Sequence, residues 1–164
     1  MAKSAEFINP QVQIPGVVCR PLAIFEDARG WLAEIFRQDE LDPDLAPVMS
    51  YLSLTRPGVG RGPHAHRGQT DLFCFPGPGD FRVFLWDDRP ESPSYQTRQV
   101  LQLGERCPGV VIVPPGVVHG YLNISGHMGL VVNCPNRLYK GPGRQEEVDE
   151  IRYEDAPDCP FKLE

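Results

Sequence analysis

Two stretches of the sequence indicate the fold most strongly. They are Gly58-Val-Gly-Arg-Gly-Pro-His64-Ala-His66 and Gly109-Val-Val-Ile-Val-Pro-Pro-Gly116-Val-Val-His119-Gly-Tyr-Leu-Asn123. Residues two apart in a β-strand lie on the same face, so His64 and His66 are predicted to face one interior space. The second stretch reads as an apolar strand, a Pro-Gly turn and a further strand that carries His119. The fourth histidine, His127, lies in an SGHMG turn and is predicted to be exposed.

The rest of the chain has the same organisation of short strands and tight turns. Sixteen glycines and 18 prolines among 164 residues suit many turns and argue against long helices. A PGPGD segment at 76–80 predicts a hairpin between two of the strands. About ten short strands indicate a sandwich or a barrel. They are predicted at 17–24, 31–36, 48–55, 72–75, 81–86, 95–103, 110–113, 119–123, 128–134 and 150–153.

Length and charge restrict the class of protein. We expect one domain over 1–164, with an N-terminal arm at about 1–16 and a C-terminal tail at about 140–164. The net charge of −6 argues against nucleic acid as a partner. No apolar run approaches the roughly 18 residues that span a bilayer, and no signal peptide is evident. The five cysteines lack CxxC spacing and are interpreted as reduced thiols of a cytoplasmic protein.

The two histidine stretches resemble the paired signature motifs of the cupin superfamily, which are glycine, HxH and an acidic residue, then PxG, two residues, His and Asn. The resemblance implies an all-β cupin fold, a double-stranded β-helix (jelly-roll) barrel. A narrower resemblance, to the dTDP-4-dehydrorhamnose 3,5-epimerase family, runs from about residue 16 to 155. It is carried by Phe25-Glu-Asp27-Ala-Arg29-Gly30-Trp31-Leu-Ala-Glu34-Ile-Phe36, by 58–64, by Asp87-Asp-Arg89-Pro-Glu-Ser92-Pro93 and by 114–120.

Epimerisation beside a ketone requires a base on one face of the sugar and an acid on the other. Histidine titrates near neutral pH and suits the base, while tyrosine can return a proton. By resemblance to the family, His64 is the expected base and Tyr139 the expected acid. His119 is expected to orient His64 or to bind the sugar.

The resemblance also implies the binding partners. The expected substrate is a nucleotide-diphospho-sugar, dTDP-linked as the family's name implies, and no cofactor or metal is implied. Arginine matches phosphate oxygens in a bidentate manner, so Arg61 and Arg29 are expected at the diphosphate. In a family-like homodimer, Arg29 would reach in from the partner subunit. Further expected substrate contacts are Glu34, His66, Asp71 and Trp31, the last either stacking on the base or simply packing on the barrel.

Three departures from the family pattern bear on the reaction. Asp71 stands where the family usually has a lysine that stabilises the enolate. The family's aspartate partner of the base histidine lies in a C-terminal segment that this chain is expected to lack, so Asp71 or His66 is a candidate to polarise His64. His66 itself resembles the second histidine of sugar 3,4-ketoisomerases. A ketoisomerase or a single-site epimerase therefore remains an alternative to double epimerisation.

Two further classes also remain open at the level of sequence. His64, His66, Asp71 and His119 form the 3-His-1-carboxylate set that metal cupins use for divalent metals. A non-catalytic, ligand-binding cupin could keep the same barrel without a working base.

Overall fold

Twelve short strands make up most of the regular structure of residues 11–164, the part of the chain that the computed structural model describes. The strands are β1 (Val18–Pro21), β2 (Ile24–Asp27), β3 (Gly30–Ala33), β4 (Tyr51–Thr55), β5 (Gly60–His66), β6 (Asp71–Phe75), β7 (Asp80–Asp87), β8 (Arg98–Gly104), β9 (Gly109–Val113), β10 (Val117–Asn123), β11 (Gly129–Asn133) and β12 (Glu150–Arg152). Single 3-10 turns occur at Gln38–Glu40, Pro43–Leu45, Pro142–Arg144 and Tyr153–Asp155, and the described residues contain no α-helix.

Two antiparallel five-stranded sheets form the body of the fold. One has the order β1-β9-β6-β11-β4 and the other the order β12-β5-β10-β7-β8. A separate two-stranded sheet pairs β2 with β3. This is the all-β jelly-roll architecture that the two histidine stretches predict.

The hydrophobic core lies between the two large sheets. Alternate residues of β7, which are Phe81, Val83 and Leu85, pack in one cluster with Phe73 and Phe75 of β6 from the other sheet. Each of these side chains is at most 4% exposed. Alternation places every second side chain of a strand on the same face, so both sheets contribute one face to this core.

The outer faces of the sheets are also covered, which explains the strands that lack an alternating pattern. The outer side of β6 and β9 packs against segment 22–45, through residues that include Leu22, Ile35 and Phe36. The outer side of β5, β7 and β10 packs against Phe161 and Leu163 of the C-terminal tail. As a result β6 and β9 are buried at every position, and their sequences read as continuous apolar runs.

The predicted hairpin at 76–80 is wrong. β6 and β7 lie in different sheets, because the PGPG segment carries the chain from one sheet to the other. The antiparallel partner of β7 along the chain is β8. Two predicted strands also need new bounds: 17–24 is divided between β1 and β2, and 95–103 begins only at Arg98.

Other predictions from composition can be compared directly. None of the five cysteines forms a disulfide. Within residues 11–164 no helix is long and apolar enough to cross a membrane. Most of the predicted N-terminal arm lies outside the described residues, which begin at residue 11.

Candidate active site

Three imidazoles converge at one end of the core. His64 and His66 come from β5, and His119 lies on the neighbouring strand β10, in register with His64. The ring centroid of His64 lies 4.5 Å from that of His119 and 5.6 Å from that of His66. Asp71, the first residue of β6 in the opposite sheet, brings a carboxylate to the same place. One ligand atom from each of these four side chains lies within 4.8 Å of the others.

Gly62 allows β5 and β10 to approach closely enough for this convergence. Its backbone is in the left-handed region, at φ 79°. A Cβ at this position would lie 2.7 Å from the carbonyl oxygen of His119 and 3.1 Å from Nδ1 of His64. A side chain here would therefore push apart the two strands that carry the histidines.

The carboxylate of Asp71 is buried among polar side chains. Oδ1 accepts hydrogen bonds from Gln69 Nε2 and Asn133 Nδ2, both at 2.9 Å. Oδ2 lies 2.9 Å from Nε2 of His66 and 3.2 Å from Nε2 of His119. Burial alone would raise the pKa of Asp71, but the two histidines outweigh it and lower the pKa well below the usual range. The carboxylate is thus ionised at neutral pH.

Backbone carbonyls hold two of the rings through their other nitrogen. His66 Nδ1 donates to the carbonyl of Asp149 at 2.8 Å, and His119 Nδ1 donates to the carbonyl of Val117 at 3.0 Å. Burial and the neighbouring His64 lower the pKa of His119, which favours its neutral form. Burial also opposes the charged form of His66, but contact with Asp71 outweighs it, and the pKa of His66 is raised.

His64 has a different set of neighbours. Its Nδ1 lies 3.8 Å from Glu150 Oε1 and 3.8 Å from Glu154 Oε2. Contact with His64 lowers the pKa of Glu154, although partial burial opposes the shift. The carboxylates beside His64 are thus Glu150 and Glu154, and not Asp71, which was a candidate to polarise it. β12 pairs with β5 and carries Glu150 to the histidines, while Asp71 contacts His66 and His119 instead.

A cavity of about 620 Å³ opens beside the histidines. His64, His66 and Tyr139 line it, together with much of the segment from Pro135 to Glu150. Asp71 and His119 are not among the lining residues and lie behind the two histidines of β5, only 0% and 3% exposed. A volume of this size suits a small organic ligand.

Tyr51 is a further hydroxyl at this cavity, which the sequence offered no signal to find. Its oxygen accepts a hydrogen bond from Asn133 Nδ2 at 2.7 Å. Burial, reinforced by the charge of Asp71, raises the pKa of Tyr51 to about 12. The hydroxyl is therefore protonated at neutral pH and still has its own hydrogen to donate, either in a hydrogen bond or as a weak acid.

Comparison with known proteins identifies the family of the chain. The model of the dTDP-4-dehydrorhamnose 3,5-epimerase family matches residues 11–156. The chain belongs to this family. A probable low-salt glycan biosynthesis epimerase of Haloferax volcanii is 37% identical over 140 residues, which cover 85% of this chain and 86% of that protein. A spore coat polysaccharide biosynthesis protein of Bacillus subtilis is also 37% identical, over 82% of this chain and 87% of its own length.

Solved structures support the same fold. A dTDP sugar isomerase from Desulfovibrio desulfuricans superposes with a TM-score of 0.78 at 23% identity and covers 92% of both chains. An epimerase from Legionella pneumophila, solved in complex with dTDP-4-keto-L-rhamnose, gives a TM-score of 0.71 at 23% identity over 92% of this chain and 82% of its own. The protein is thus an enzyme of the isomerase class with the cupin jelly-roll fold of the epimerase family.

Four residues that the family resemblance brought to the substrate do not line the cavity of their own chain. Arg61 donates to Thr55 Oγ1 at 3.0 Å, and Arg29 pairs with Asp27 in the turn between β2 and β3. Trp31 is 54% exposed, and Glu34 lies 3.8 Å from Arg37. The cations that do line the cavity are Arg137, Lys140 and Arg144.

Proposed function

We propose that this enzyme epimerises a thymidine diphosphate-linked 4-keto-6-deoxyhexose by proton abstraction beside the C4 ketone, with His64 as the base. The electron pair of the broken C–H bond forms the enolate, and the ketone oxygen takes the negative charge. A proton from Tyr139 then returns to the opposite face of the carbon, and exchange with solvent restores both side chains. The observation that carries the proposal is His64 at the cavity wall, backed by two glutamates.

The glutamates give His64 what a general base requires. A carboxylate near Nδ1 favours the tautomer with its proton on that nitrogen and stabilises the imidazolium that forms. The lone pair of Nε2 is then available to accept a proton from the substrate. His119, packed against His64 at a ring distance of 4.5 Å, fixes the orientation of the base.

Tyr139 is the proposed acid because it lines the same cavity as His64 and is half exposed to it and to solvent. Tyr51 is the other phenol at this wall, but Asn133 ties its oxygen to the buried cluster around Asp71. The two tyrosines therefore form a matched pair for mutation.

Two sets of cationic side chains are proposed to bind the nucleotide diphosphate. Arg137, Lys140 and Arg144 line the cavity and are free to bind phosphate oxygens there. Arg29 and Trp31 of the β2–β3 hairpin, with Glu34 directly after it, would complete the site of the partner subunit in a homodimer. Arg61 would contribute after leaving its contact with Thr55. The enzyme would act in the cytoplasm, where activated sugars are made.

Isotope exchange tests this function directly. The protein is incubated in deuterium oxide with the 4-keto-6-deoxyhexose nucleotide, and NMR follows C3 and C5. We expect deuterium at one or both carbons with the wild type, and exchange slowed by about 100-fold or more with His64→Gln. His127→Gln is the matched control, because His127 is exposed and lies outside the cluster.

Three outcomes would count against the proposal. Absence of exchange by the wild type over hours, with dTDP still raising the melting temperature, would make the protein a binding module. Exchange that survives His64→Gln would remove His64 from the role of base. Conversion to a 3-keto sugar instead of an epimer would identify a ketoisomerase.

A further inference from the structure

Three polar atoms in the buried cluster around Asp71 have no hydrogen-bond partner. Within residues 11–164 the buried, unpartnered side-chain atoms are Asp71 Oδ2, His119 Nε2 and Asn133 Oδ1. The first two lie 3.2 Å apart, and the contact does not have the geometry of a hydrogen bond. A carboxylate oxygen and an imidazole nitrogen left unpaired in a dry site carry a large desolvation cost.

The protonation of the rings makes this arrangement more unfavourable. A backbone carbonyl can only accept, so the Nδ1 atoms of His66 and His119 must carry hydrogens. In neutral imidazoles the Nε2 atoms then carry lone pairs. On His66 such a lone pair can accept a hydrogen bond from the amide nitrogen of Gln69, which lies 3.2 Å from Nε2. When both rings are neutral, their Nε2 lone pairs lie 2.9 and 3.2 Å from the ionised oxygen of Asp71, and all three atoms are then acceptors.

We propose that His66, Asp71 and His119 bind a divalent transition-metal ion. A cation among these atoms turns three unfavourable acceptors into three ligands. The distances of 2.9 and 3.2 Å between Asp71 Oδ2 and the two Nε2 atoms are those of neighbouring ligands in a shell of bonds about 2.0–2.2 Å long.

The atoms around the three ligands have the organisation of a metal centre. Metal-ligating histidines donate their other ring nitrogen to a carbonyl or carboxylate, which fixes the ring and its tautomer. His66 and His119 both do so, and the other oxygen of Asp71 is held by Gln69 and Asn133. Two imidazoles and one carboxylate suit zinc, iron or another borderline metal and are unsuited to calcium or magnesium.

His64 is left out of the ligand set because its Nδ1 faces Glu150 and Glu154 and its ring lines the cavity. Three protein ligands leave a coordination position open for a further ligand. A catalytic role for the ion rests on the proposed function. The ion would stabilise the enolate, which is the role of the family's lysine that Asp71 replaces here. The inference departs from the metal-free site that the family resemblance implies.

Zinc binding to tag-free protein tests the site. The protein is stripped with EDTA, and ZnCl₂ is added in calorimetry and in thermal melts. We expect one high-affinity site per chain and a rise in melting temperature of about 5–10 °C at a hundredfold excess over Kd. His127→Gln is the matched control and should bind zinc as the wild type does. It keeps the five cysteines, so any zinc binding by cysteines of the unfolded chain is the same in both proteins.

Asp71→Asn separates a metal site from a simple ion pair. The amide would place an N–H₂ where Oδ2 lies and so donate to the two Nε2 lone pairs. We therefore expect Asp71→Asn to lose at least 100-fold in zinc affinity, while its stripped form melts no lower than stripped wild type. His119→Gln should lose a similar factor.

The proposal is overturned if zinc gives no saturable stabilisation of the wild type, or if Asp71→Asn binds zinc as tightly. It is also overturned if stripped Asp71→Asn melts clearly lower, since the carboxylate would then be satisfied by protonated histidine alone. Deuterium exchange is followed separately in stripped protein, so failure of zinc binding and failure of the epimerase proposal can be told apart.

Discussion

At the scale of single residues, His64 depends on a part of the chain that lies far from it in sequence. Glu150 is placed by the pairing of β12 with β5, and Glu154 follows in the adjoining 3-10 turn. Arg152 contacts both glutamates and so keeps them together. Its Nε lies 3.5 Å from Glu150 Oε2, and its Nη2 lies 3.1 Å from Glu154 Oε1. His64 therefore has these carboxylates beside it only when β12 is paired with β5.

Replacing both glutamates by glutamine should lower kcat with little change in KM. The double variant keeps the shape of the wall but removes the charge that stabilises the imidazolium, so a loss of about tenfold or more is expected. Glu147→Gln is the control, because Glu147 lines the cavity without contacting His64. Equal losses in the control, or a change confined to KM, would show that the glutamates act on binding.

The two phenols should separate in their kinetics. Tyr139→Phe removes the proposed acid, so epimer formation should slow more than deuterium exchange, because abstraction by His64 still occurs. Tyr51→Phe should affect both rates equally and mildly. The ratio of product formation to exchange, measured by NMR on one sample, checks this. The opposite pattern in the two variants would assign the acid role to Tyr51.

Sequence reasoning found the members of the cluster whose spacing has a physical period. His64 and His66 are two apart on one strand, so a common face followed from strand geometry alone. Glu150 and Glu154 were missed because no local pattern marks them, and only the pairing of β12 brings them to His64. Tyr51 was missed for a similar reason, since it reads as an ordinary residue of an alternating strand.

At the scale of elements, the end of β7 is held by a network centred on Asp87. This carboxylate is 1% exposed and accepts hydrogen bonds from Arg89, Ser92 and Ser94. Burial alone would raise the pKa of Asp87, but these donors outweigh it and lower the pKa. The family-like D-x-R-x-x-S-P motif is thereby explained as the support of a turn and not as part of the cavity.

Asp87→Asn should destabilise the fold by about 3 kcal/mol at neutral pH, because it leaves Arg89 beside a neutral group. The melting temperature should fall by about 6–12 °C. A lowered carboxyl pKa adds stability above its unfolded value of 3.8 and loses it as the pH falls further. The gap between the melting temperatures of wild type and variant should therefore narrow below about pH 4. A gap that stays constant down to pH 2.5 would contradict this account.

The positions of strands were predicted correctly where the sequence alternates or forms an apolar run. The pairing of strands was not, because it depends on the topology of the sheets. Proline and glycine at 76–80 correctly predicted a change of direction. They could not tell a hairpin from a crossing between sheets, because the local backbone requirements are the same. The partner of β7 is set by the apolar faces of β8 and β10, which are distant in sequence from that turn.

At the scale of the whole molecule, two parts of the surface are unusually apolar for an isolated chain. On β4, an edge strand of its sheet, Leu52 is 69% exposed and Leu54 53%. On the two-stranded sheet, Phe25 is 57% and Leu32 66% exposed. Edge strands with exposed apolar side chains are favourable places for another chain to pair. These two parts of the surface therefore support the proposed homodimer.

The dimer and the reach of Arg29 can be tested together by mixing two inactive variants. His64→Gln removes the base, and Arg29→Ala removes the cation proposed to serve the partner subunit. A hybrid dimer would have one site with both residues intact, so random mixing should restore about a quarter of wild-type activity. The two variants are co-refolded, exchange is measured, and sedimentation reports the oligomeric state.

Leu52→Asp serves as the control for this experiment, because a charge on the apolar edge strand should yield monomers without touching either functional residue. Its monomers should bind the nucleotide weakly, since each would lack the partner subunit's Arg29. If mixing restores nothing while the proteins are dimeric, Arg29 acts within its own chain or not at all. Full activity of a monomeric Leu52→Asp protein would exclude a shared site, because a chain that works alone needs no arginine from a second copy.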